Sequence, residues 1–426
     1  MPSPSPSALA RRRRSRGHTQ ESLAERLGAD VSSVARWERG LALPSPGFRR
    51  ALAAELGLGL DALDTLLRPS SPEAHPAPAF DGPPPELIKD IWGAGERAAL
   101  AAQLGAAPPH TVAGEHAVRV AHQWLITPPP PASSHRAEGR PRRLGAAELD
   151  GLRARLRYLH EADDTVAGGD LYPAIRDELA RTADLLRTTS HSGAVGRGLL
   201  RVLAEMCQLA GWSAADAGDA RRGEHHHLYG IQAAHAADDP VLAAQLVSSL
   251  GYHLAEHGRA RDAVTVTRSA LARLDALGTG TPAVRALLHA RAAWAYAVAG
   301  RSARADEECG RAQEAYARRR TDDPDPEWAY WLTDDEMEIV VGRLDIALGR
   351  PCRGRERLRE ALRGCDPRRV RETVLYTVWL AQSHLRRHEH APAAALARSA
   401  RGLSATIRSA YSERAVRDLD RSLAAA

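Results

Sequence analysis

"LGYHLAEHGRARDAVTVTRSAL", residues 250–271, places Gly251, Gly258, Ala263 and Ala270 at steps of seven, five and seven. Small residues at the first and third positions let two antiparallel helices approach closely. The second ends the first helix, and the fourth packs against the next pair. The same ladder recurs at Gly211, Gly218, Gly223, Gly230, at Ala293, Gly300, Ala305, Ala312, at Gly342, Gly349, Gly354, Ala361, and at Ala381, His388, Ala393, Ala400. Five copies of one offset pattern predict five helical hairpins stacked side by side.

Outside the ladder the chain is also helical in pattern. "ELDGLRARLRYLHEADDTVAGGDLYPAIRDELARTADLL" predicts a preceding hairpin with "TVAGG" as its turn, and no stretch alternates as a strand does. Towards the N-terminus two proline-dense breaks, "RPSSPEAHPAPAFDGPPP" and "TPPPPASSHRAEGRPRR", interrupt the helical pattern and read as linkers. Residues 8–67 form short helices punctuated by glycine and proline, at 8–16, 20–27, 31–39, 46–56 and 60–67. The expected organisation is all-α: a five-helix domain at 1–68, a linker at 69–85, a helical connector at 86–127, a Pro/Arg-rich linker at 128–143 and an α-solenoid at 144–426.

Composition narrows the partners. Net charge is +5, yet only Lys89 among 58 basic residues is lysine and asparagine is absent, which points to a GC-rich genome rather than to nucleic acid. Location is more telling, because residues 1–68 hold eleven arginines against seven acids. No apolar run reaches membrane-spanning length and no leader pattern opens the chain, so a cytoplasmic protein without membrane contact is expected. Cys207, Cys309, Cys352 and Cys365 are far apart, signalling neither disulfides nor zinc.

In "GHTQESLAERLGADVSSVARWERG", residues 17–40, Thr19 sits where it caps a helix and Ala24 is small where helices cross. Gly28 permits the turn, and Leu23, Leu27, Val34 and Trp37 supply a core. This stretch resembles the phage-repressor, or xenobiotic-response-element, class of helix-turn-helix domain. The resemblance implies that Val31, Ser32 and Arg36 face the major groove, Arg36 reaching guanine O6 and N7. It implies phosphate contacts from Arg11, Arg12, Arg14, Arg16, Thr19, Gln20, Ser33 and Arg39, and a structural ion pair between Arg13 and Glu38. Val31 stands where a polar or basic residue is common in that class. One short recognition helix reads few bases, so a homodimer on operator DNA is expected.

The ladder resembles the tetratricopeptide repeat, whose period is about 34 residues, with longer helices or loops here. One residue past each ladder start come Trp212, Tyr252, Trp294, Arg343 and Gln382. With Glu205, Gln208, Gln245, Ser248, Glu256 and Arg386 they form the expected effector groove. The layout is similar to that of Gram-positive pheromone-receptor regulators and of actinobacterial regulators of like architecture. Peptide-binding repeats commonly grip the peptide backbone through asparagine, which this chain lacks, so peptide, small molecule and protein all remain open as effectors.

Other motifs carry less. Consecutive residues on a helix point about 100° apart, so "GEHHHLYG" at 223–230 cannot converge on one ion. The acids of "EADDTVAGGD" read as helix caps. No nucleophile elbow, phosphate loop or zinc-protease motif occurs, and neither enzyme activity nor a cofactor or metal is expected. A transcriptional regulator is the leading reading, with an interaction scaffold that no longer binds specific DNA as the alternative.

Overall fold

The computed structural model describes residues 8–38, 44, 46–59, 62–63, 67, 114–131, 134–135 and 142–425. The chain divides into two units, Met1–Leu87 and Ile88–Ala426. Among the described residues the structure is helical, with only two isolated β-bridges.

In the first unit, α1 (Ala8–Ser15), α2 (Gln20–Leu27), α3 (Val31–Glu38) and α4 (Pro46–Leu56) follow the periodicity of the sequence. Thr19 starts α2 in an extended conformation: its hydroxyl accepts from Ser22 N while Thr19 N donates to Ser22 Oγ. Gly28 ends the helix at φ +62°, which a side-chain-bearing residue adopts only under strain. Leu23, Leu27, Val34, Trp37, Leu52 and Leu56 meet in one core with Leu63 and Leu67. Each fully buried side chain of this size contributes about 1.5–3 kcal/mol relative to exposure. Most of the fifth expected helix, at 60–67, lies outside the described residues, as do Arg39 and the linker at 69–85.

In the second unit, α5 (Gly114–Ile126) precedes a hairpin of α6 (Ala146–Asp163) and α7 (Gly168–Thr188). Five hairpins follow: α8/α9 (Gly193–Asp216, Ala220–Ala236), α10/α11 (Pro240–Glu256, Ala260–Leu277), α12/α13 (Pro282–Val298, Ser302–Ala317), α14/α15 (Asp334–Ala347, Pro351–Gly364) and α16/α17 (Val370–Leu385, His390–Ser404). Helix α18 (Ala410–Ala424) closes the series. A 3₁₀ turn, Glu327–Ala329, fills the long third-to-fourth connection.

The ladder explains the hairpins. Its second residue lies at positive φ in all five copies: Gly218, Gly258, Gly300, Gly349, and His388 at 58°. A Cβ on Gly211 would lie 2.6 Å from the His227 ring, and one on Gly251 would lie 2.4 Å from Thr267 Cγ2, so the hairpins close only around small residues. At the fourth position, a Cβ on Gly230 would lie 2.7 Å from Leu246 of the next hairpin.

Two segments differ from expectation. Residues 164–167 make the α6–α7 turn, and the glycines of "TVAGG" open α7 instead, because a Cβ on Gly168 would lie 2.6 Å from Ser213 O and one on Gly169 would lie 2.5 Å from Arg408 O. The connector carries the apolar stripe Ala117, Val120, Ala121 and Trp124, and this stripe is buried. Arg273 Nη1 donates to Leu125 O at 2.8 Å, and the same guanidinium lies 6.0 Å from the centre of the Trp124 ring, so α5 docks on the repeats. Beyond it, His135 pairs with His191 and Arg143 with Ser190, fastening the middle and the C-terminal end of the proline-rich linker.

The stack turns far enough to bring its last helices against its first. Ser409 Oγ donates to Asp216 Oδ1 at 2.5 Å, Gly169 N to Arg408 O at 3.0 Å, and the Trp212 and Tyr411 rings lie 4.9 Å apart.

Candidate functional site

Helix α3 has a buried side, Val34 and Trp37, and an outer side with Val31, Ser32 and Arg36 exposed; Ser33 is half-buried. Its last residue anchors it. Arg13 Nε donates to Glu38 Oε1 at 2.6 Å, Arg13 Nη2 to Oε2 at 3.2 Å, and Gln20 Nε2 to Oε2 at 2.5 Å. A carboxylate with three charge- or amide-donated bonds fixes α3 against α1 and the start of α2. Gln20 spends one amide N–H on Glu38, which leaves the other for a phosphate.

Arg12 and Arg16 have an unforeseen occupation. Each donates through Nε to Leu56 O at 3.0 Å, and Arg12 Nη2 reaches Gly57 O at 3.1 Å. Cations there satisfy the open carbonyls and the negative dipole end of α4. Of the other candidates, Arg11 and Arg14 are exposed, and Thr19 is exposed at its cap.

Inside the second unit lies a cavity of about 240 Å³. Trp212, Tyr252, Trp294 and Arg343, each one residue past a ladder start, all line it. Arg343 stacks 3.5 Å from the centre of Trp294 and 4.5 Å from that of Trp379. Its Nη1 donates to Tyr252 Oη and its Nη2 to Glu256 Oε1, both at 2.7 Å, while Trp294 Nε1 donates to the same carboxylate oxygen at 2.8 Å. Burial alone would raise the Glu256 carboxyl, but Arg343, with Arg414 and the Trp294 N–H, holds it below its ordinary value.

Elsewhere in the lining, early and late helices of the repeat unit are joined by charge. Arg371 binds Asp163 Oδ2 at 3.1 Å, Glu372 Oε1 at 2.7 Å and Asp216 Oδ2 at 3.5 Å. Arg369 binds Glu336 at 3.1 Å and Asp164 at 3.6 Å. The acids read as helix caps, Asp163 and Asp164, are therefore ion-pair partners. Tyr376 Oη donates to Glu336 at 2.8 Å.

The remaining expected groove residues divide. Gln208 lines the cavity. Gln245 and Ser248 are buried and face a neighbouring helix, where they accept from Arg291 Nη1 at 2.9 and 2.8 Å. Glu256 stands behind Arg343. Glu205, Gln382 and Arg386 do not line the cavity. Of the residues six before a ladder start, Glu205 and Gln245 stand outside the lining while Leu287, Glu336 and Leu375 belong to it; those two before it, Leu209, Ser249, Arg291, Val340 and Trp379, form a complete second row. That row lies three residues from the first, on the same helical face, and was readable from the ladder.

The histidine run is interior. His226 Nε2 lies 3.0 Å from Tyr172 Oη, and His227 packs 5.7 Å from His253, ring to ring. Burial holds His226 and His253 down to about 3, and His227 well below its ordinary value, so all three are neutral. No group of His, Cys, Asp and Glu suited to a metal ion occurs among the described residues, and no helix there is long and apolar enough to cross a membrane.

A helix-turn-helix family model matches residues 9–63. No curated protein matches the sequence. Among solved structures, the crystal structure of Bacillus thuringiensis PlcR in complex with the peptide PapR7 and DNA is similar at 12% identity, covering 72% of this chain and 92% of that one, with a TM-score of 0.31. The N-terminal segment is thus a helix-turn-helix DNA-binding domain of the phage-repressor type, in a chain that continues into helical repeats.

Proposed function

We propose that the protein is a cytoplasmic transcriptional regulator that binds operator DNA as a homodimer and responds to an effector held in its repeat cavity. The observation that carries the DNA reading is the division of α3: Val34, Trp37 and Glu38 are buried in the domain, while Val31, Ser32 and Arg36 are turned outward together. Arg36 supplies the hydrogen bonds to bases; Val31 offers only apolar contact to a thymine methyl, and Ser32 reaches little further. Phosphate contact falls to Arg11, Arg14, Thr19, Ser33, Arg39 and the second amide N–H of Gln20. Arg12 and Arg16 contribute as positive charge near the backbone while they cap α4. The aromatic and charged cavity wall supports a ligand-responsive role for the repeats.

Gel shifts on the protein's own upstream DNA at two salt concentrations test this. A preferred sequence whose selection is lost in Arg36→Ala, with binding that weakens steeply with salt, is expected. Salt-sensitive binding without preference would favour the interaction scaffold instead.

A further inference from the structure

Four arginines line the cavity among the described residues, and three are matched to acids: Arg343 with Glu256, Arg369 with Glu336, and Arg371 with Asp163. Arg291 is not. Its Nη1 lies within reach of four neutral oxygens, Gln245 O and Oε1, Ser248 Oγ and Ser249 Oγ, at 2.8–3.3 Å. Two hydrogens serve those four acceptors, and Nε and Nη2 make no hydrogen bond among the described residues. A half-buried guanidinium without a counter-charge is costly, and here burial pulls its pKa down to about 10.

A cation lacking its acid defines a receptor for an anion. The surroundings define the rest of the ligand, since Trp212, Tyr252 and Trp294 present aromatic surface in the same wall. At about 240 Å³ the space is smaller than pockets that hold drug-sized molecules, roughly 300–1,000 Å³. An ammonium group would find little to bind, because the wall's carboxylates at Asp163, Asp164 and Glu336 are already held by Arg371, Arg369 and Tyr376, while Glu372 is shared with Arg371 and its unpartnered Oε2 is buried out of reach.

Building on the effector reading above, we propose that the cavity binds a small monocarboxylic acid with a flat apolar body, its carboxylate on Arg291 and its body against Trp212, Tyr252 and Trp294. The acid enters ionised and no proton need change hands. Arg291 donates to the carboxylate from Nε and Nη2.

The test uses the full chain, indole-3-acetate and its uncharged counterpart indole-3-acetamide in calorimetric titrations. Wild type is expected to prefer the acid by about tenfold or more, and Arg291→Gln to lose that preference while keeping its unfolding temperature. A second series compares acetate, benzoate and chloride at equal ionic strength: benzoate should raise the unfolding temperature of wild type above the chloride value and leave Arg291→Gln unmoved. Equal binding of acid and amide by wild type, an undiminished preference in Arg291→Gln, or no carboxylate in either series acting on wild type more than on the variant would overturn the proposal. Operator affinity measured on the same samples separates the two readings. Acid binding that leaves DNA binding unchanged defeats the effector reading alone, whereas a DNA response to the acid that survives Arg291→Gln defeats the carboxylate site alone.

Discussion

The guanidinium of Arg343 lies 3.5 Å from the centre of the Trp294 ring and shares the Glu256 carboxylate with that tryptophan's N–H. Two residues from adjacent hairpins are thereby locked to a third on an earlier one. Lysine at this position keeps the charge but cannot stack its plane or reach Tyr252 and Glu256 together. Arg343→Lys is expected to lower stability by roughly 1–3 kcal/mol and to change the tryptophan fluorescence. Chemical unfolding and the emission spectrum of the native state check both.

The buried pair Arg13–Glu38 makes a different prediction. Removing one partner leaves the other charged and unpaired, so Glu38→Leu or Arg13→Met alone should cost the N-terminal domain about 3–5 kcal/mol. Removing both should cost clearly less than either single change, because no orphan charge remains. Thermal unfolding of the three variants, followed together with operator binding, gives the comparison.

Glu205 gives a pH signature. Burial, reinforced by the Asp239 and Glu327 carboxylates, pushes it up to about 7. The folded chain then holds a proton that the unfolded chain releases near the ordinary glutamate value, so stability falls as pH rises from about 4.5 to about 7. Glu205→Gln should flatten that window and raise stability above pH 7 by roughly 1–3 kcal/mol, with no benefit below pH 4. Unfolding midpoints across the pH range decide it.

His388 occupies the left-handed region at φ 58°, where the other four ladder copies carry glycine. Relief of that strain is partly offset by the greater freedom of an unfolded glycine. His388→Gly is expected to stabilise the repeat unit by about 0.5–1 kcal/mol, measured by thermal unfolding.

The hairpins were legible because each ladder position is a local steric demand: a turn that needs positive φ, or a helix crossing that admits no side chain. The front row of the cavity followed from the same register, which is why Trp212, Tyr252, Trp294 and Arg343 come together. The same register puts Gln245 and Ser248 in the expected groove, yet a polar side chain two turns or one turn before the front row serves as well to accept hydrogen bonds from a neighbouring helix's Arg291. Arg12 and Arg16 illustrate a similar limit. Their capping of Leu56 and Gly57 spans some forty residues of sequence, and nothing local distinguishes an arginine bound for a carbonyl from one bound for a phosphate. The second row, with Arg291 and Trp379, was present in the pattern at a spacing of three and needed only the helical period to be applied once more.

A linear array of repeats ordinarily unravels from its ends, since terminal units have one neighbour instead of two. Here Arg371 ties residue 163 to a helix 208 positions later, and Ser409 ties the last helix to Asp216. Among the described residues the early helices are tied to the late ones, and those contacts carry a large loop-closure entropy that is met only when the fifth hairpin exists. A nascent or truncated chain ending before Arg369 lacks Arg371, Glu372, Tyr376 and Trp379, one whole side of the cavity. The cavity is therefore completed late in synthesis, and under the function proposed above a shortened chain would carry the helix-turn-helix head without the part that answers to a signal.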